Sequence, residues 1–276
     1  TGISTFAKGV AVYGSFTDNG KWTEGTITFI GSDAATFKAS ENSKYNIVLN
    51  DSYKELSFIN SKANVTKLTV TKAAVLKFQC DANIKTFSDT ADSLKLEIGS
   101  IDASDSSNNK AAKVTINNLD GNTLNSKAAV VNSELIFTQS SGVTLGSSDS
   151  EITMAGSITA AHDITLLGTI TSVEVDDASK ETLPKITAGS DKAINFGSTT
   201  SDQVTYSGPN LYLNSSVNNK AKFINSGTLT ANQSFTNNNN AQFINSGTLT
   251  ANQSFTNNGS ATGTSSAILN LKNDFT

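Results

Sequence analysis

The chain has 276 residues, a net charge of −4 and no arginine among its twenty basic residues. Because nucleic-acid binding depends on clustered Arg and Lys side chains, this composition argues against a nucleic-acid partner. One cysteine excludes an internal disulfide framework, and no apolar run is long enough to span a membrane. The low content of aromatic (7%) and charged (16%) residues suits a thin, elongated core.

Short runs that alternate polar and apolar residues fill the first 80 positions. In Thr26-Ile27-Thr28-Phe29-Ile30, alternate side chains share one face, which predicts a strand with one buried face. We predict such strands at residues 9–13, 14–17, 25–29, 45–49, 56–59, 67–71 and 74–78. Cys80 follows Phe78 at the spacing of one strand face, so we expect a buried thiol rather than a nucleophile.

Two polar segments interrupt the middle of the chain, at residues 102–110 (Asp102 to Lys110) and 176–184 (Asp176 to Pro184). We predict that both are loops that project from the fold. Further strands are predicted at residues 114–116, 134–137, 152–154 and 169–171. A regular rhythm begins near residue 203. The predicted organisation is therefore a less regular region with inserted loops over residues 1–200, followed by regular 20-residue repeats over residues 201–276 that stop part-way through a coil.

Residues 221–240 and 241–260 are two copies of one twenty-residue sequence, and they differ at only three positions. A unit this short cannot fold alone, because it buries too little apolar surface to offset its backbone entropy. Its short strands and its corners rich in Gly and Asn predict one coil of a β-solenoid. The predicted fold class is therefore all-β, a parallel β-helix with about 20 residues per coil.

Stacking of these coils predicts which residues lie on top of one another. Like residues should form columns and amide ladders, with the pairs Phe223/Phe243, Leu229/Leu249, Phe235/Phe255, Asn225/Asn245, Asn232/Asn252 and Asn237/Asn257. A more divergent preceding coil would place Ser207-Gly208 and Asn218-Asn219 nineteen residues before Ser226-Gly227 and Asn237-Asn238. In the following coil, Leu269 falls twenty residues after Leu249.

The residues that could support catalysis or metal binding are few. His162 is the only histidine and precedes Asp163, but neighbouring strand residues face opposite sides, so we predict that the pair does not converge. Asp102, Asp105 and Asn109 could supply oxygen ligands to calcium, but they lack the spacing of a known calcium loop.

Paired carboxylates are also a weak signal. Asp176 and Asp177 are sequence neighbours, which does not give the facing geometry of a glycosidase. We therefore predict no enzyme activity and no catalytic, cofactor-binding or metal-binding residues.

Thr-x-Thr pairs recur along the chain. In a strand both threonines of a pair face the same side, and stacked pairs would form a flat hydroxyl–methyl grid of the kind used by some ice-binding solenoids. The pairs are Thr26/Thr28, Thr69/Thr71, Thr169/Thr171, Thr228/Thr230 and Thr248/Thr250. Because threonine is in any case favoured in strands, ice binding is kept as a minor alternative.

Two parts of the chain resemble known bacterial proteins. Residues 14–23, followed by residues 25–29 and 47–50, resemble modules of large bacterial surface proteins. The Asn-Ser-Gly-Thr-Leu-Thr-Ala-Asn stretches at residues 225–232 and 245–252 are similar to coils of filamentous-haemagglutinin-like and autotransporter-passenger adhesins. This resemblance implies a right-handed parallel β-helix, export, and display on the cell surface.

Together these observations predict a non-catalytic structural or adhesive protein of the bacterial cell surface. The expected molecule is a rigid solenoid rod that assembles end to end into an extracellular fibre, or that continues neighbouring surface-protein segments. Host or environmental glycans are the other expected partners, bound at the two loops. A polysaccharide-binding or polysaccharide-degrading β-helix protein is the alternative. Because the chain begins with Thr rather than Met, we expect a processed or partial chain without a signal peptide. Fibre assembly would depend on Phe275 and on the strand from Val10 to Tyr13.

Overall fold

The computed structural model describes residues 3–4, 9–22, 25–50, 55–72, 75–91, 93–100, 109–174 and 183–272. These residues form short β-strands and one 3-10 turn (Asp120–Asn122), with no α-helix in the described ranges. The described ranges likewise contain no helix that is long and apolar enough to cross a membrane. The chain divides into two compact units, Thr1–Gln139 and Ser140–Thr276. In each unit the strands of one coil pair in parallel with those of the next, which confirms the predicted β-solenoid.

Unit 1 contains sixteen described strands. They are β1 (Ile3–Ser4), β2 (Val10–Val12), β3 (Phe16–Thr17), β4 (Lys21–Trp22), β5 (Thr26–Phe29), β6 (Ala34–Lys38), β7 (Tyr45–Leu49), β8 (Glu55–Ile59), β9 (Ala63–Val70), β10 (Val75–Phe78), β11 (Ala82–Asp89), β12 (Lys95–Ile98), β13 (Lys113–Ile116), β14 (Thr123–Leu124), β15 (Ala128–Val131) and β16 (Glu134–Phe137). Within the unit, sheet A has the order β2-β5-β7-β9-β11-β13-β16 and sheet B the order β3-β6-β8-β10-β12-β15, while β1 pairs with β4.

An aromatic column shows that two successive coils of unit 1 have nearly the same length even though their sequences do not visibly repeat. Phe37 pairs with Phe58, and Phe58 pairs with Phe78, so each of these coils is about 20 residues long. The rings of the column are 5.1 Å and 4.7 Å apart, and all three side chains are buried. Beyond Phe78 the column continues with Ile98 and Val131, so an inward position accepts any of several apolar residue types. The division predicted near residue 200 stays a prediction.

One insertion lengthens a coil of unit 1. Ser100 and Lys110 exchange backbone hydrogen bonds of 2.9 and 3.0 Å in an isolated antiparallel bridge, so the last residue of the predicted loop at residues 102–110 is bound to a residue just before that loop. As a result, the coil that joins Ala82 of β11 to its register partner Val114 of β13 is longer than its neighbours. Between Ser100 and Lys110, residues 101–108 lie outside the described ranges.

Unit 2 contains eighteen described strands. They are β17 (Val143–Leu145), β18 (Glu151–Met154), β19 (Ser157–Ala160), β20 (Ile164–Leu166), β21 (Gly168–Ser172), β22 (Lys185–Thr187), β23 (Ala193–Phe196), β24 (Gln203–Ser207), β25 (Leu211–Leu213), β26 (Ser216–Asn219), β27 (Lys222–Asn225), β28 (Thr228–Ala231), β29 (Phe235–Asn237), β30 (Gln242–Asn245), β31 (Thr248–Ala251), β32 (Phe255–Asn257), β33 (Ser260–Gly263) and β34 (Ile268–Leu271). Every third strand belongs to the same parallel sheet: sheet C begins at β17, sheet D at β18 and sheet E at β19.

The predicted columns of unit 2 are confirmed residue by residue. Phe223 pairs with Phe243, Leu229 with Leu249 and Phe235 with Phe255. In the two phenylalanine pairs the stacked rings lie 5.7 and 5.6 Å apart. Leu269 continues the leucine column, as predicted.

The register predicted for the preceding coil is wrong by one residue in sheet C. Asn219, and not Asn218, pairs with Asn237, whereas Asn218 pairs with Thr236. In sheet D the predicted offset is correct, because Tyr206 pairs with Asn225. The offset between register partners is therefore one residue shorter in sheet C than in sheet D, and a single offset cannot describe both sheets.

Candidate functional site: the polar ladders of unit 2

The His162–Asp163 pair, which is not predicted from the sequence to be a site, has a different geometry from that expected. His162 Nδ1 lies 3.2 Å from Asp163 Oδ2, so the prediction that these side chains do not converge is wrong. The prediction assumed extended backbone, but His162 lies in a bend between β19 and β20. Asp163 Oδ1 also accepts a hydrogen bond of 2.7 Å from the Ala193 N–H of the next coil. Asp163 therefore ties this bend to the next coil, whereas His162 Nδ1 makes no hydrogen bond with any described residue.

The Cys80 thiol is buried, as predicted, with 7% of the residue exposed. Burial, reinforced by the nearby negative charge of Asp81, raises the pKa of Cys80 to about 11. At neutral pH the sulfur is therefore protonated, and a thiol is a much weaker nucleophile or metal ligand than a thiolate.

The acidic residues proposed as weak metal or carboxylate sites are mostly outside the described ranges. This holds for Asp102, Asp105, Asp176 and Asp177, whereas Asn109 is described and is exposed. Within the described ranges, no group of three or more His, Cys, Asp or Glu side chains is placed to hold a metal ion.

The threonine pairs stack in the two repeat copies. Thr228 pairs with Thr248 and Thr230 with Thr250, so four outward-facing threonines form a small grid on sheet E. Tyr212 replaces threonine on one side of this grid, below Thr230, and Ile268 and Asn270 replace it on the other. The regular array thus ends after two coils.

Two ladders of asparagine side chains run inside unit 2, at the corners between its sheets. The first amide ladder comprises Asn219, Asn237 and Asn257, and two of its members, Asn219 and Asn237, have no exposed surface. Asn219 Nδ2 donates to Asn237 Oδ1 at 2.8 Å, and Asn237 Nδ2 donates to Asn257 Oδ1 at 2.7 Å. The same Nδ2 atoms also donate to a backbone carbonyl one coil further on, at Gln242 and Ser260 respectively.

The second amide ladder, Asn225 and Asn245, repeats this arrangement at the next corner. Asn225 Nδ2 donates to Asn245 Oδ1 at 2.8 Å and to the Thr248 carbonyl at 3.1 Å. Asn245 Nδ2 donates to the equivalent carbonyl of Ile268 at 3.0 Å. Each buried amide is thus satisfied only when the following coil is in register, since its acceptors belong to that coil.

Tyr206 begins the second amide ladder in place of an asparagine. It pairs with Asn225, and its hydroxyl donates to the Thr228 carbonyl at 2.9 Å, the position that the later amides also serve. Ser172 Oγ lies 2.9 Å from the same hydroxyl. Burial raises the pKa of Tyr206 to about 12, so the hydroxyl stays protonated and can donate.

A third column, on the surface, runs the opposite way. Asn252 Nδ2 donates to Asn232 Oδ1 at 2.8 Å, and Asn232 Nδ2 donates to Asn214 Oδ1 at 2.7 Å. These side chains are only partly buried, so water can replace their partners. All three amide pairs predicted from the repeats therefore stack, but only the inner two depend on the following coil.

A partly buried hydrogen-bond cluster in unit 1 was not predicted from the sequence. Asp18 Oδ2 accepts hydrogen bonds from the Ser43 and Tyr45 hydroxyls, and Asp18 Oδ1 accepts one from the Gly20 N–H. Burial alone would raise the pKa of Asp18, but these donors, with the Trp22 N–H, outweigh it and hold the pKa below its ordinary 3.8. The ionised carboxylate therefore ties the turn before β7 to the preceding coil.

This cluster predicts an acid-sensitive contribution to stability. Because the folded pKa of Asp18 is lowered, its contribution is complete above about pH 3.8 and is lost as the pH falls through the folded value. We expect Asp18→Asn to lower the thermal midpoint at pH 7, and this difference from the wild type to shrink at pH 3. The exposed Asp33→Asn is the matched control and should change the midpoint at neither pH. An Asp18→Asn effect of equal size at both pH values would contradict the assignment.

Comparisons of the chain with protein-family models, with curated proteins and with solved structures found no match. The resemblance to bacterial surface adhesins therefore stays a prediction from the sequence.

Proposed function

We propose that this chain is a non-catalytic structural or adhesive component of a bacterial cell surface, and that it assembles extracellularly by stacking its coils on those of another copy. The observation that carries the proposal is the pair of inner amide ladders. Each buried Nδ2 group finds its acceptors in the following coil, so within the chain each of these coils selects an in-register coil on top of it, and we infer that the coil edges of two copies stack in the same manner.

The repeat copies support this proposal because they are complementary to one another. Residues 221–240 pair in register with residues 241–260, so a coil of this sequence accepts a nearly identical coil on top of it. Parallel pairing also offers a full row of backbone N–H and C=O groups at each coil edge, which is a template for a further strand.

Two coils of the described ranges bury their inward residues less than the others do. Along β33 and β34 almost every residue is exposed, and Leu269, although part of the leucine column, is 40% exposed. In β2 and β3 the apolar residues Val10, Val12 and Phe16 are only half-buried. We infer that the β33–β34 coil of one copy covers the β2–β3 coil of the next. A head-to-tail contact of this kind forms open filaments rather than closed rings.

Assembly makes a prediction that analytical ultracentrifugation and electron microscopy can test. The wild-type chain should form filaments as its concentration rises. Leu269→Lys and Val12→Lys should each remain monomeric, because each puts a charge on one of the two surfaces that would be desolvated. Thr200→Lys, on an exposed turn between β23 and β24, is the matched control and should still form filaments.

Mixing the two variants tests the direction of the contact. Each variant keeps one intact surface, so an equimolar mixture should form dimers and stop there. Wild-type protein that stays monomeric at high concentration would contradict assembly from copies of this chain. Self-association of Val12→Lys alone would contradict the head-to-tail arrangement.

A further inference from the structure

Unit 1 carries an open groove with a volume of about 450 Å³ on its surface. Its size is within the range of small-molecule sites, but most of its lining side chains are polar, unlike the apolar lining usual in such sites. The lining residues that carry the argument are Glu41, Lys44, Asn64, Asn83, Lys85 and Asn117.

Successive coils supply the floor of the groove. Asn64 on β9 and Asn83 on β11 are direct register partners, so their amides lie one strand spacing apart. Asn117 follows β13, and its N–H donates to the Ile84 carbonyl at 2.8 Å, which places it one coil further on. The three amides therefore lie on successive coils, with Asn64 and Asn83 about 4.8 Å apart and Asn117 displaced by two residues, because Asn83 itself pairs with Thr115. This staggered row suits an extended chain ligand.

A β-bulge shapes the centre of the groove. Tyr45 pairs with Val65 but Asn46 pairs with Lys67, so Thr66 is the extra residue and is exposed. Lys85 occupies the corresponding position of β11, and it is also exposed. Bulges commonly re-aim side chains, and Lys85 lines the groove from the strand next to this one.

The opposite wall is the turn before β7, and the hydrogen bonds around it hold it in place. Asn64 Nδ2 donates to the Glu41 carbonyl at 2.9 Å, and the Lys44 N–H donates to the Trp22 carbonyl at 3.0 Å. Ser43 anchors the same turn to the Asp18 carboxylate. The groove is therefore formed before any ligand binds, which lowers the entropy cost of binding.

We propose that this groove binds an acidic saccharide, a sugar chain that carries carboxylates. Asparagine amides donate and accept hydrogen bonds, as hydroxyl groups require, and the ammonium groups of Lys44 and Lys85 pair with carboxylates. With Glu41 as the one carboxylate of the lining, positive charge exceeds negative by one. This site belongs to unit 1 and does not depend on coil-to-coil assembly.

Isothermal titration of the full chain with trigalacturonate, with neutral galactotriose as the paired probe, tests the proposal. We expect the acidic trisaccharide to bind, the neutral one to bind at least about tenfold more weakly, and Lys85→Gln and Asn83→Ala each to weaken acidic binding by about tenfold. Lys220→Gln removes an exposed lysine of unit 2 and should leave affinity unchanged. Both groove residues are exposed, so the circular dichroism spectra of their variants should match that of the wild type.

Three results would overturn the proposal. These are the absence of trigalacturonate binding, equal binding of the neutral trisaccharide, and unchanged affinity in both groove variants. Repeating the titration with the monomeric Leu269→Lys variant separates the two proposals. Retained binding there is expected, because the groove lies in unit 1, and binding that disappears with assembly would assign the saccharide to a surface between copies.

Discussion

A Phe235→Ala variant is expected to lose about 3–5 kcal/mol of unfolding free energy. Phe235 is fully buried, and its ring lies 5.4 Å from that of Phe243 and 5.6 Å from that of Phe255. Its removal leaves a cavity that these rings can fill only by leaving their own stacked positions. The urea midpoint, followed by circular dichroism and compared at a common m-value, measures the loss.

The next residue supplies the control. Thr236 is partly exposed and pairs with Thr256 on the outward side of sheet C, so Thr236→Ala should change stability by less than about 1 kcal/mol. Equal urea midpoints for the Phe235 and Thr236 variants would show that the phenylalanine column is not the core of this unit.

Asn237→Ala is expected to destabilise the protein by about 2–4 kcal/mol although it removes no apolar surface. The substitution leaves Asn219 Nδ2 without one of its acceptors, and it leaves Asn257 Oδ1 and the Ser260 carbonyl without the donor that reaches them. Each buried polar group that loses its partner costs about 1–3 kcal/mol. Urea unfolding measures this loss in the same way.

Asn232→Ala is the matched control for the buried amide. Asn232 also stacks between two asparagines, but on the surface, where water replaces the lost partners. The expected loss is below about 1 kcal/mol. A loss as large as that of Asn237→Ala would mean that amide stacking itself, rather than burial, stabilises the coils.

The repeat copies made the register of residues 221–260 predictable. When coils of equal length and nearly identical sequence stack, identical residues must lie on top of one another. In unit 1 the Phe37–Phe58–Phe78 column follows the same rule, yet no sequence repeat reveals it. An inward position accepts any apolar residue that fits, so these coils share nearly the same length without sharing a sequence.

The inner amide ladders were predictable as stacks but were not identified as buried. A signal was present, however: Phe223 and Asn225 are two residues apart in one strand, so a strand that buries one side chain must turn the other inward as well. The residue type hides this signal, because asparagine is normally expected on the surface or at a corner.

Sites that depend on contacts between residues far apart in the sequence, or on local bends, could not be predicted from the sequence. The Asp18 cluster joins residues 25 and 27 positions apart, and nothing in the sequence marks Ser43 or Tyr45 as its donors. The His162–Asp163 geometry depends on one bend between two strands, which alternation alone does not reveal. The groove of unit 1 depends on the bulge at Thr66, a single extra residue in one strand.

Disulfide trapping of Thr230→Cys with Thr250→Cys, in a Cys80→Ser background, tests the in-register stacking of coils most directly. These threonines are register partners, so their Cα atoms should lie about 4.8 Å apart, within the range that a disulfide spans. In dilute solution, mild oxidation should form an intramolecular bond in nearly every chain, whereas Thr230→Cys with Thr256→Cys, on a different sheet, should form none. Efficient bonding of the second pair but not of the first would contradict the stacked-coil structure.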